Sequence, residues 1–407
     1  MALGGDDTLT GADPFNAPNE FEEQRRRARK LRPAGTERSQ EPPGRIQSGS
    51  RRAQQAAKRA ERTLAPVAAD DEKPRDFAHE QSASAARRKA GPVLLPVCAS
   101  WWEELQVPEG GTPARSAEAV GLLQVQAAAL YERELDAFAT SQARKHGADA
   151  RFVSKLASRG TIKDRVAALT VQAHESSFHV MPSVRQLMTM AQRPARDVKL
   201  LAVDALTELF LTRLLPAERP LVPFDRARLS TSPSERELLQ AHFEDALKAA
   251  YSELADVVIR GTCDNVLHCK QRMLFSLLSM LSGKPELERK LLPALVNKFG
   301  DPEKKVASRL THLLGTLAHS HPAMKAVILA EVQRFVLRPN VGERAQYYAT
   351  IFMNQLVLTR KEARIAQTLL LIYLSLFGAR ARESLQSRML SALLSGIHRA
   401  VPFCEAP

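Results

Sequence analysis

Cysteine is scarce in this chain, with four residues at positions 98, 263, 269 and 404 among 407. So small and scattered a set cannot build a disulfide framework, and it fits a reducing compartment. Cys263 and Cys269, with His268 beside the latter, come nearest to a metal-ligand cluster. Their spacing turns the two thiols apart, and no second Cys/His pair lies close in sequence, so core thiols are expected and neither a metal nor another cofactor is. Aromatic residues are also few, at 5%, while Leu and Ala abound, which suits packed helices better than sheets. No apolar run reaches the ~18 residues of a membrane span. The nearest, Leu369 to Phe377, reads as a buried helix face. The first twenty residues are acidic and polar, unlike a signal peptide.

Catalytic patterns are missing as well. There is no glycine-rich phosphate loop, no GxSxG and no HExxH. His174 and His179 lie five apart, a poor spacing for one helix face, and His312, His319 and His321 gather around a helix end. These are read as capping or surface histidines. Neither an enzyme nor a small-molecule substrate is expected.

What the chain does have is positive charge, a formal +13 with pI near 9.8, which favours association with a polyanion. Much of it is concentrated early. Residues 1–90 are poor in large apolar side chains and rich in Arg, Ala, Ser, Pro and Gln, so they are predicted to form a disordered arm. Within it, Gln24 to Arg62 holds thirteen Arg/Lys against three acids. Arg25, Arg26, Arg27, Arg29, Lys30, Arg32, Arg51, Arg52, Lys58 and Arg59 are the candidates for a nuclear-import address or an RNA contact. Residues 91–114 form a docking segment and linker. They contain the chain's two tryptophans, Trp101 and Trp102, expected to anchor onto the first folded element, and the linker Glu109 to Pro113.

Residues 115–402 read as continuous helix with short breaks, an all-α, HEAT- or armadillo-like α-solenoid. Gly261, Gly300, Asn340 and Gly378 stand about 39 residues apart, each expected to precede a fresh helix, in the range of helical-pair repeats. The clearest unit is Leu291 to Leu337. Gly300 is expected in a left-handed conformation, with Asp301 capping the next helix and Pro302 at its first position. Val306, Leu310, Leu313, Leu314 and Leu317 then trace one face. Pro322 opens a partner helix with Met324, Val327, Ile328, Val332 and Phe335.

The remaining boundaries follow from the same chemistry. A helix from Arg115 to His146 offers Leu122, Leu123, Leu130, Leu135 and Phe138 for burial. Thr161 caps the next, Pro182 opens another, and a third spans Ala195 to Leu215. Leu215 to Ser230 is a proline-rich loop, long for a solenoid and a candidate binding insertion. Ser232, Pro233 and Glu235 suggest a capping box, as do Asn340 with Glu343 and Thr359 with Glu362. Helices are expected over Asp264 to Ser282 and Pro285 to Phe299, the latter kinked or started by Pro293. The last, Glu383 to Arg399, leaves an apolar stripe uncapped, as in a solenoid cut short. Lys163 and Arg165, at one helix start, are candidate phosphate contacts. Tyr347 and Tyr348 read as one core and one surface residue.

Several blocks, in order, resemble the CCAAT-binding-factor domain family. Gly160, Thr161, Asp164, Arg165, Ala168, Leu169, Thr170, Glu175 and His179 are similar to its opening block, and Leu209, Leu214, Leu215, Pro216, Arg219 and Leu221 to its helix end and LLP turn. Val296, Asn297, Lys298, Gly300, Asp301 and Pro302 resemble its VNK-GDP turn. His321, Pro322, Met324 and Lys325 resemble its HPNMK, with Ala323 in place of Asn. Ala345, Gln346, Tyr347, Tyr348, Asn354 and Gln355 match AQYY and NQ elements, and Arg388 to Leu394 a KMLSALL block.

The resemblance covers about Trp101 to Pro402, and the family's domain continues beyond Pro407. It implies a non-enzymatic nucleolar scaffold of large (60S) ribosomal subunit assembly. Such a scaffold would pair with a nucleolar complex protein two-like partner and engage pre-ribosomal RNA in early pre-60S particles. It also implies a second role, transcriptional regulation at CCAAT-containing promoters. No helix-turn-helix, zinc finger or bZIP pattern is present to read bases directly. An importin-like adaptor would share the solenoid.

Overall fold

The computed structural model describes residues 92–105, 115–145, 147–380 and 387–404, all within one unit, Ser84–Pro407. The basic arm and the Glu109–Pro113 linker lie outside the described residues. Thirteen α-helices and no strand occur among the described residues. They are α1 (Ala117–Lys145), α2 (Gly147–Arg159), α3 (Ile162–Glu175), α4 (Met181–Ala191), α5 (Arg196–Leu209), α6 (Glu235–Gly261) and α7 (Leu267–Gly283). There follow α8 (Glu288–Val296), α9 (Lys304–Ser320), α10 (Lys325–Val336), α11 (Glu343–Gln355), α12 (Ala363–Arg380) and α13 (Ser387–Ala400).

The packing order is that of an α-solenoid. Odd helices from α3 to α13 each pack on the next odd one and form one layer, while α4, α6, α8, α10 and α12 form the other. Each amphipathic pair therefore covers its stripe against the following pair, and one core cluster runs from Leu95 to Ala400. The long α1 lies outside this alternation and packs along α6.

Local chemistry explains most boundaries. Thr161 and Asp164 form a capping box on α3, and Thr359 with Glu362 form one on the short 3₁₀ turn that leads into α12. Pro182 stands in the first turn of α4. Five expected devices differ. The box heading α6 is Ser234 with Glu237, so the Ser232–Glu235 box does not form. Gly342 is the N-cap of α11 and supplies no side chain, which leaves Asn340 in the preceding turn. α9 begins at Lys304, because Asp301 turns its carboxylate onto the Glu303 N–H (2.9 Å) and away from the helix, and Gly300 closes a 3₁₀ turn without a left-handed φ. Pro293 neither starts nor ends α8 but lies inside it. The helix start falls at Leu287 instead, the one non-glycine residue with positive φ (56°) among those described.

The repeat spacing holds at Gly261, Gly300 and Asn340, which lie at or near breaks, and fails at Gly378, which sits inside α12. On α9 all five predicted core residues are buried. Leu122 on α1 and Val327 on α10 are exposed, as are Leu371, Leu374 and Phe377 on α12, so that helix buries only one side through Leu369, Ile372, Tyr373 and Leu376. Among the described residues no helix is long and apolar enough to cross a membrane.

Candidate docking and nucleic-acid surface

The arginines and lysines from Arg25 to Arg59 lie outside the described residues. Lys163 is exposed in the first turn of α3. Arg165 is half-buried and its Nε donates to the Ala157 carbonyl (3.1 Å), which ties α3 to the end of α2. Two residues apart on a helix, their side chains leave in different directions, so the fold does not gather them into one cluster.

Several polar residues that carry the family resemblance fasten one repeat to the next. The Lys298 ammonium donates to the Thr262 carbonyl (3.1 Å), and Asn297 accepts from Arg338 (2.8 Å). Asp301 receives Lys270 at 3.1 and 3.2 Å, and both side chains are buried. Lys325 bridges the Val357 carbonyl (2.9 Å) and Glu362 (3.0 Å). Asn354 donates to Ala392 O (2.8 Å) and accepts from the Tyr373 hydroxyl (2.8 Å). A buried ion pair contributes little net stability yet is costly to half-remove. These groups therefore fix how successive repeats sit on one another.

The segment at 92–105 is fastened in the same manner. Glu134 of α1 accepts the backbone N–H groups of Leu94 (2.9 Å) and Leu95 (2.7 Å), and Ser177 N–H donates to Cys98 O (3.0 Å). Trp101 is fully buried, donates its indole N–H to Leu214 O (2.9 Å), and meets Phe243 edge-on at 5.4 Å between centroids. Trp101 thus anchors the segment, though on the turn that follows α5 and on α6 rather than on the first folded element.

His179 corrects the expectation of a surface histidine. It is buried, stacked on Phe138 with ring centroids 3.9 Å apart, and held by Ser176 Oγ at Nδ1 (2.8 Å) and by Glu134 at Nε2 (3.4 Å). Serine, imidazole and carboxylate thus stand in line. The Ser176 side chain is enclosed, and Glu134 is committed to two backbone amides, so the line works as a tether for the docked segment and presents no nucleophile to a substrate. Burial alone would raise the Glu134 pKa, but hydrogen bonds from His179 and the amides of Leu95 and Leu94 outweigh it and hold the carboxyl below its ordinary range. No sequence signal marks this site, because its members come from α1, the α3–α4 turn and the docked segment. Burial pushes the Cys98 thiol up to about 11, away from reactivity. Tyr347 and Tyr348 are both half-buried, contrary to the core-and-surface expectation, with rings edge-to-face at 5.9 Å.

The loop from Leu215 to Ser230 is strapped down. Glu286 accepts the Leu221 N–H (2.6 Å) and Lys248 (2.8 Å), Glu244 accepts the Val222 N–H (2.8 Å), and Phe224 and Leu229 form a small core with Ala127 and Leu238. An open cleft lies between α1, α2 and α3, with the edge of His179 in its lining. It holds about 640 Å³ over Leu135, Phe138 and Val153, with Arg151, Lys155 and Arg159 on its rim.

No family model matches the chain. Among known proteins it is 32% identical over 324 residues to human CCAAT/enhancer-binding protein zeta, covering 77% of this chain and 31% of that one. It is 29% identical over 357 residues to the ribosome biogenesis protein NOC1 of Chaetomium thermophilum, covering 74% and 34%. It is 28% identical over 273 residues to nucleolar complex protein 1 of Drosophila melanogaster, covering 63% and 23%. The chain spans about a third or less of the length of these relatives. The ordered blocks, the helical repeats they fasten and these alignments agree, and the chain belongs to the CCAAT-binding-factor family of CCAAT/enhancer-binding protein zeta and nucleolar complex protein 1.

Proposed function

We propose that this chain is a non-enzymatic scaffold of ribosome biogenesis, acting in the nucleolus on the large (60S) subunit. The alignment carries the reading: most of the chain matches relatives named for nucleolar complex 1 and ribosome biogenesis. An α-solenoid suits the role, since a row of repeats presents an extended surface to protein and RNA partners. In this reading the solenoid engages early pre-60S particles and a nucleolar complex protein two-like partner. The basic run from Arg25 to Arg59 adds salt-sensitive phosphate contacts to pre-ribosomal RNA. The buried Ser176–His179–Glu134 line, engaged in holding a docked segment, supports a role without catalysis.

A second reading, regulation of transcription at CCAAT-containing promoters, is favoured by the name of the human relative. The helices spend their faces on one another, which leaves direct base readout without a reading element. Crosslinking of the tagged protein to RNA in cells, with sequencing of the bound fragments, separates the two. Reads concentrated on large-subunit precursor rRNA support the assembly role. Their absence, with enrichment of promoter DNA in a parallel chromatin experiment, overturns it.

A further inference from the structure

The odd layer carries a cluster of cations that the fold does not use. Lys304, Lys305 and Arg309 on α9 are exposed, and among the described residues none has an ion-pair partner. Four other lysines of the repeats are paired, Lys248 with Glu286 at 2.8 Å, Lys270 with Asp301 at 3.1 Å, Lys290 with Asp256 at 2.9 Å, and Lys325 with Glu362 at 3.0 Å, so what sets α9 apart is the grouping of three unpaired cations on one face. The placement on α9 also works against the helix. Its first two residues are lysines where the dipole is positive, the only acids at that end being the N-cap Glu303 and Asp301 before it, and Lys305 and Arg309 are like charges one turn apart. Such an arrangement lowers the stability of the free protein and is relieved by an anion.

The surroundings point to the kind of anion. Lys304, Lys305, Ser308, Arg309 and His312 line a groove of about 510 Å³, closed on the far side by Tyr348 of α11. A second groove, of about 470 Å³, lies between α11 and α13 and is lined by Tyr347, Arg388, Ser391 and Ser395. The two tyrosine rings, 5.9 Å apart, stand between them. Among the described residues no carboxylate lines either groove. Cations for phosphates, hydroxyls for sugars and rings for bases are the parts of a single-strand binding track, and unpaired bases alone expose faces to rings. An acidic peptide would use the cations and leave the rings idle.

We propose that the solvent-facing side of α9, α11 and α13 is a binding track for single-stranded RNA, with Lys304, Lys305 and Arg309 on phosphates and Tyr347 and Tyr348 against bases. The proposal deepens the assembly reading and rests on it only for which RNA is bound.

The test uses the full chain and a fluorescent oligouridylate of about 12 nucleotides, within the ~4–16 such sites span. Binding is followed by anisotropy across a salt series. Lys304→Glu with Lys305→Glu and Arg309→Glu is expected to weaken binding at least tenfold and to flatten the log–log salt slope by about 2, the release expected for three single-strand phosphate contacts. A control with equal charge change on the other layer, Arg289→Glu with Arg360→Glu and Lys361→Glu, is expected to change binding less than threefold. Tyr347→Ala with Tyr348→Ala is expected to weaken it about tenfold with the salt slope unchanged. Helical circular dichroism of every variant checks folding, and Lys304→Gln with Lys305→Gln and Arg309→Gln replaces any charge-reversed variant that fails to fold. Equal loss in the two charge variants, or none in either, overturns the proposal and leaves RNA contact to the basic arm. Loss in the α9 variant with none in the tyrosine variant, and displacement of the RNA by polyglutamate of equal charge, overturns it in favour of an acidic peptide. The cellular crosslinking above is scored separately. Reads on precursor rRNA that persist in the α9 variant sink this inference alone, and a track that binds RNA in vitro without such reads sinks the assembly reading alone.

Discussion

The buried Lys270–Asp301 pair gives the sharpest test of how the repeats are joined. Lys270 projects from α7, and Asp301 sits in the turn that leads into α9, so the pair spans a repeat boundary, with side chains 8% and 4% exposed. Lys270→Met removes the ammonium while preserving length and apolar contact. It leaves a buried carboxylate whose remaining partner is the Glu303 N–H. A half-removed buried pair costs ~3–5 kcal/mol, a large part of an ordinary domain's stability. Adding Asp301→Asn cancels the stranded charge while its side-chain oxygen still accepts from Glu303. The double variant is expected within ~1 kcal/mol of the wild type, so the coupling between the sites is at least ~2 kcal/mol. Urea unfolding followed by helical circular dichroism on the four proteins of the cycle measures this. Additive losses, or a Lys270→Met loss under ~1 kcal/mol, would refute the claim that the pair fastens the boundary.

Two further predictions follow from the packing. Glu134 has a folded-state pKa below its ordinary value, so its stabilisation is complete above the ordinary carboxyl range and is lost as pH falls through the lowered value. Glu134→Gln is expected to be less stable than the wild type near neutral pH and to lose less stability as pH falls from about 7 to about 2, through and below the ordinary carboxyl range. Urea midpoints along that series decide it, and parallel acid limbs would contradict it. Gly396 on α13 lies where an added Cβ would stand 2.5 Å from Asn354 Oδ1 and 2.6 Å from the Tyr373 ring, so Gly396→Ala should destabilise by ~1–3 kcal/mol. A thermal melting point equal to the wild type's would show that α13 has room to move away.

The fold was legible because its determinants are local. The α9 stripe of Val306, Leu310, Leu313, Leu314 and Leu317 repeats at helical spacing, and Thr161 with Asp164 or Thr359 with Glu362 satisfy helix-start donors from within four residues. Misplaced starts share one cause. Several residues can serve as a cap in Ser-, Asp- or Asn-rich turns, and tertiary contacts choose among them. Asp301 is taken by Lys270, and Ser234 prevails over Ser232 because Glu237 reaches both Ser234 and Ser230. Gly378 misled because an exposed glycine within a helix costs only ~1 kcal/mol, which packed neighbours on the same helix offset. The exposure of Leu371, Leu374 and Phe377 was hidden for the opposite reason, since α12 is apolar nearly all round and periodicity cannot choose its buried side. The Glu134–His179 tether and the α9–α11 groove were illegible as sites, being assembled from segments about 40 or more positions apart.

The central claim is that this helical-repeat chain works within large-subunit assembly. Sucrose-gradient sedimentation of nucleolar extract from cells expressing the tagged chain tests it most directly. The account predicts co-migration with pre-60S particles and release to the top of the gradient after nuclease treatment. A chain that stays at the top without nuclease, while precursor rRNA sediments normally, would contradict it.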